Sequence, residues 1–139
     1  MTPQSLARLE ASFERLAPQI ETMTRGFYDR LFSELPETRA LFRVDMAVQR
    51  QHLGAALAVI TRNLRMLDVV TEPLRQLGAD HARVGVKPEH YVPVRDAMLF
   101  AIGAAMGDAW NVELKEDWRA LLDLISEKML EGASRAAMV

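Results

Sequence analysis

The 139-residue chain sets 17 Lys and Arg against 19 Asp and Glu, for a net charge of −2, and half of its residues are apolar. That balance fits one domain over 1–139 with a single core. It excludes a disordered chain and leaves no basic footprint for nucleic acid or an anionic membrane. Cysteine is absent, which removes disulfides, thiolate zinc sites, iron–sulfur clusters and cysteine nucleophiles together.

Helix follows helix. Thr2-Pro3 is a start signal, and Leu6, Leu9, Phe13 and Leu16 form a stripe that runs to Pro18. From about Gln19, Ile20, Met23, Phe27, Leu31 and Leu35 mark the inner side of a second helix, with Tyr28 one residue round from Phe27. Pro36 starts a short turn, PETRALF, that delivers Phe42. Asp45 is placed to cap a helix whose apolar positions run Leu53, Ala56, Leu57, Ile60, Leu64 and Leu67. Thr71-Glu72-Pro73 opens the helix that ends at His81, and Gly85 stops it. Pro88 opens a long helix carrying Tyr91, Val94, Met98, Ile102 and Met106 to Gly107. Asn111 caps the last, with Leu114, Trp118, Leu121, Leu122, Ile125 and Met129 on its buried face. Gly132 and the tail ASRAAMV are expected to fray.

The fold class is therefore all-α. Sharp corners at Pro36, Pro73 and Pro88, between helices of unequal length, favour a globin-like stack of crossed helices over an up-down bundle. No apolar run approaches the ~20 residues that span a bilayer. The amphipathic, acid-containing N-terminus MTPQSLARLEASFERL is unlike a signal peptide, so the expected address is cytoplasmic.

The stretch LGADHARVGVKPEHY (77–91) places His81 in a helix C-terminal turn, in the angle between two helices with Val84 and Val86 beside it. That setting suits an imidazole ligating an iron in an apolar crevice. Gln49, His52, Leu53 and Ala56 share one face of the preceding long helix, with Gln49 the polar group at its N-terminal end. Facing His81, Gln49 would present its amide to a ligand beyond the metal. Tyr28 would add a phenolic hydrogen bond from another direction, and Phe42 would wall the edge. Taken singly, each residue also reads as ordinary structure. His81 can be a helix-dipole partner, Gln49 a surface residue, Tyr28 a buried ring bonded to a backbone carbonyl and Phe42 core. Met98, Met106 and Met129 read as gap-fillers, and His90 as solvated.

The combination is more specific. GFYDRLFSELPETRALF (26–42), QRQHL (49–53), the H-x-x-x-G-V-x-P-E-H-Y pattern from His81 and AWNVELKEDWRALLDLISEKM (109–129) resemble single-domain bacterial globins allied to the globin part of flavohaemoglobins. The resemblance covers nearly the whole chain in order. It implies haem b (iron protoporphyrin IX) with His81 as the proximal iron ligand, Tyr28 as the distal tyrosine and Gln49 as the distal glutamine. Leu53 then crowds the ligand, Phe42 packs on the haem plane, and Val86 lies beneath the ring. Tyr91 matches the proximal tyrosine, and Leu77 and Met98 join the cofactor wall. The glutamate that partners this tyrosine in the family falls at Ala133, with Glu131 two residues short and projecting elsewhere. His81 should then be less imidazolate-like, which puts peroxidase-like chemistry in doubt.

The resemblance further implies O2, NO and CO as ligands, bound by a monomer or weak homodimer. Two donors of ~1–3 kcal/mol each would make oxygen binding tight and release slow, suiting storage, scavenging or nitric-oxide dioxygenation. With no flavin domain after residue 139, turnover is expected to depend on a separate reductase. His52 has two readings, a second iron ligand or a partner for a haem propionate at the pocket mouth. The alternative function is a haem-free helical sensor or interaction module. Non-haem metal binding fares worse, because the histidines at 52, 81 and 90 share no ligand spacing.

Overall fold

The computed structural model describes residues 1–137, so Met138 and Val139 of the tail lie outside the described residues. Six α-helices are present among them: α1 (Pro3–Leu16), α2 (Ile20–Glu34), α3 (Met46–Arg62), α4 (Asp68–Arg83), α5 (Tyr91–Met106) and α6 (Val112–Ala137). Short 3₁₀ turns at Ala17–Gln19, Pro36–Leu41, Pro88–His90 and Gly107–Ala109 make the corners.

The caps act as their residue types dictate. Thr2 and Asp45 oxygens accept from the Ser5 and Ala47 amides, and Asn111 Oδ1 accepts from Leu114. Gly85 and Gly107 follow their helices with positive φ, the conformation that costs a glycine least.

Three expectations are corrected. α4 begins at Asp68, so Pro73 lies inside it rather than opening it. Pro73 has no N–H to reach the Val69 carbonyl, but Val69 is exposed and water can take that acceptor. The apolar stripe of α3 overshoots: Leu64 and Leu67 belong to the link 63–67, where Leu64 still fills the core. Val84 does lie beside His81, its amide donating to the His81 carbonyl at 3.2 Å, with its side chain 60% exposed. Gly132 does not fray; it is buried in α6, which continues to Ala137.

α4 lies along α6 and α2 along α5, and α1 is pinned to α6. Trp118 Nε1 donates to Ser12 Oγ at 2.9 Å in the buried centre, and Arg8 holds Asp117 through two bonds of 2.6 and 3.0 Å. The α4–α6 crossing is a backbone contact. A Cβ on Gly78 would overlap the Met129 carbonyl, and one on Gly132 would overlap that of Arg75. By contrast α3 and α4, joined only by 63–67, do not pack closely along each other.

Candidate functional site

The candidate residues Tyr28, Gln49 and His81 sit on α2, α3 and α4. Gln49 stands thirteen residues before the end of α3 at Arg62, and His81 thirteen after the start of α4 at Asp68. Each is therefore roughly 20 Å along its helix from the link.

On α4, His81 is half-buried, and its Nδ1 lies 2.8 Å from the Leu77 carbonyl. A carbonyl only accepts, so Nδ1 carries the proton and Nε2 keeps its lone pair. Nε2 has no partner among the described residues, yet it is not one of their sealed, unpartnered atoms. It therefore faces accessible space as a free donor pair, the form in which imidazole binds a metal. No cluster of three or more His, Cys, Asp or Glu that could hold an ion alone occurs among the described residues. Any iron here would need most of its ligands from a macrocycle.

On α2, Tyr28 is buried at 5% exposure, its ring in edge contact with Phe27 at 4.8 Å and Phe42 at 5.4 Å. Phe32 packs against both Tyr28 and Phe42. The Tyr28 hydroxyl meets no backbone carbonyl among the described residues; instead Gln49 Nε2 donates to Tyr28 Oη at 3.0 Å. Two donors expected to act from separate directions are thus joined to each other. Burial pushes the Tyr28 hydroxyl above the ordinary phenol range, offset in part by the Gln49 bond.

Around them, Phe42, Leu53, Leu77 and Tyr91 are only partly buried although they pack on the core, and Val86 is half-buried too. Large apolar side chains left half-wet are surfaces that a ligand could cover. Burial also raises the Tyr91 hydroxyl. Met98 lies deeper, 4% exposed, behind the wall. His52 is exposed on α3. His90 is half-buried rather than solvated, and its Nδ1 accepts from the Lys87 amide at 3.0 Å. The carboxylate of Glu131 is taken by Arg75 Nε at 2.7 Å and Lys128 at 3.5 Å, so it does not reach His81. Depressions of about 440 Å³ beside Phe100 and Trp110, and about 630 Å³ beside Arg75 and Glu131, lie on other faces.

Reading the sequence missed the part that two residues play in the α4–α6 crossing, Gly78 and Gly132. The available signal was a glycine inside each helix, a position that disfavours the helix by about 1 kcal/mol unless packing requires it.

The chain is similar to known proteins over most of its length. A family model described as Globin matches residues 25–129. A flavohemoprotein of Bordetella pertussis is 30% identical over 139 residues, covering 98% of this chain and 34% of that protein. One of Bacillus subtilis is 31% identical over 113 residues, covering 79% and 28%. The chain spans about a third of the length of these curated relatives. A structure described as an engineered carbene transferase and candidate nitric oxide dioxygenase from Rhodothermus marinus superposes with a TM-score of 0.86 at 25% identity, over 99% of this chain and 94% of that one. A bacterial globin from Campylobacter jejuni gives a TM-score of 0.83 at 19% identity, over 99% and 100%, a likeness of fold.

Proposed function

The chain belongs to the globin family, and from that premise we propose that it binds haem b through His81 and holds O2 tightly, with NO and CO as further ligands. The observation that carries this reading is the free Nε2 of His81 in a chain whose α2 and α3 hold Tyr28 and Gln49 hydrogen-bonded to each other. The chemistry of the residues supports it. They offer one neutral imidazole, apolar surfaces for a flat ring and one set of hydrogen-bond donors.

Haem iron, when bound, supplies reversible binding of diatomic gases and one-electron chemistry. The protein supplies everything else. The Leu77 carbonyl fixes the imidazole tautomer and its rotation. Because Gln49 occupies an acceptor site on Tyr28 Oη, the phenol keeps its own proton free to donate. Accepting a bond strengthens a hydroxyl as a donor, so Gln49 acts largely through Tyr28. Phe42 and Leu53 limit water beside that donor. Glu131 being held by Arg75, the imidazole is tuned by a carbonyl and not by a carboxylate, which fits gas binding better than peroxidase-like chemistry.

The same arrangement serves nitric-oxide dioxygenation to nitrate if an external reductase returns the cofactor to its ferrous form. Mixing haemin-loaded, reduced, air-equilibrated protein with nitric oxide and assaying nitrate tests that extension. One nitrate per haem within the mixing time is expected, and nitrite in its place would refute it.

A further inference from the structure

The contact between α4 and α6 reaches into the site through a single peptide unit. The carbonyl that holds His81 Nδ1 at 2.8 Å belongs to the Leu77–Gly78 peptide, whose other end is the Gly78 Cα. That Cα lies so close to the Met129 carbonyl of α6 that no side chain fits between them. Side chains ordinarily hold packed helices ~8–10 Å apart; here glycine removes the spacer. Gly132, three residues beyond Met129, repeats the arrangement against Arg75, three residues before Gly78. Arg75 then ties the crossing from outside, its Nε bonded to Glu131 of α6 at 2.7 Å and its Nη1 to Glu72 at 2.5 Å. Met129 O, Gly78 Cα, the Leu77 carbonyl and the His81 ring thus form one short chain of contacts.

We propose that Gly78 is a positioning residue for His81: the backbone of α6, pressed on Gly78, sets the plane of the Leu77–Gly78 peptide and with it the rotation and basicity of the imidazole. The proposal rests on the reading of His81 as the iron ligand. A hydrogen bond to Nδ1 raises ligand basicity. A side chain forced in at Gly78 strains the Leu77–Gly78 peptide itself, and a turn of its carbonyl lengthens that bond and leaves Nε2 a poorer donor. Gly85 and Gly107, which end helices, have no such link to the ring.

The test is the iron–histidine stretching band of the haemin-loaded, reduced, gas-free protein, read by resonance Raman. Gly78→Ala should move the band to lower wavenumber, while Ser12→Ala, which loosens the core beneath Trp118 without touching α4, should leave it in place. Arg75→Met opens the same clasp without adding volume and should give a smaller shift in the same direction, so it is read should Gly78→Ala fail to fold. A band at the wild-type position in whichever of the two binds haemin overturns the proposal, as does an equal shift in Ser12→Ala. Absence of any such band in the wild-type protein would instead defeat the reading of His81 as ligand.

Discussion

Gln49 Nε2 reaches Tyr28 Oη at 3.0 Å, joining α3 to α2. The phenol is therefore the direct donor and the amide its support. Tyr28→Phe should speed O2 release about tenfold to a hundredfold, the loss of one hydrogen bond to a partly charged acceptor. Gln49→Leu should speed it less. The double variant should resemble Tyr28→Phe alone, since the two groups act in series. Stopped-flow release rates for the three proteins decide the matter; additive effects would mean two independent donors.

The protonation of Tyr28 makes a second prediction. Burial raises its folded pKa above the ordinary 10.0. A neutral phenol thus contributes stability that is complete below 10.0 and is lost as pH rises toward the folded value. O2 release should accordingly stay flat from about pH 6 to about pH 9, because the donor keeps its proton throughout. Thermal melts above pH 10.0 should show wild type losing more stability than Tyr28→Phe.

The acid limb reports on the α4–α6 clasp. The Arg75 guanidinium holds the Glu131 carboxyl below its ordinary 4.5. A lowered pKa contributes stability that is present above 4.5 and disappears as pH falls through the folded value. Glu131→Gln should melt below wild type at neutral pH, and the two should converge in strong acid. The difference at neutral pH should be small, as Glu131 is partly solvated and screened.

Ser12→Ala tests the pin between α1 and α6. It leaves the indole N–H of the fully buried Trp118 without its acceptor, 2.9 Å away in the native protein. A destabilisation of about 1–3 kcal/mol is expected in urea melts. An unchanged midpoint would show that the bond contributes nothing.

Local chemistry made much of this legible before any coordinates. Asp45 and Asn111 cap the helices they precede because a short polar oxygen beside free amides has one evident use, and Gly85 and Gly107 end helices because only glycine adopts that φ cheaply. Periodicity alone could not place the ends of α3 and α4. Leu64 and Leu67 keep helical spacing through the link since the core lies on the same side there, and Pro73 reads as a start although solvent at Val69 lets it sit inside. Contacts between distant segments were the least visible. Gly132 looked like a frayed end because its partner, the Arg75 carbonyl, is 57 residues away in sequence. The Gln49–Tyr28 bond was hidden for the same reason: each residue suggested a donor, and only the fold shows one donating to the other.

The free Nε2 of His81 carries the account, and haemin titration of wild type against His81→Ala tests it most directly. Wild type should take up one equivalent and, once reduced without gas, show the spectrum of iron with a single axial nitrogen ligand. His81→Ala should keep its helical circular dichroism, lose that spectrum and regain it when free imidazole is added. The same spectrum from both proteins without imidazole would mean that another group holds the iron, and would contradict the account.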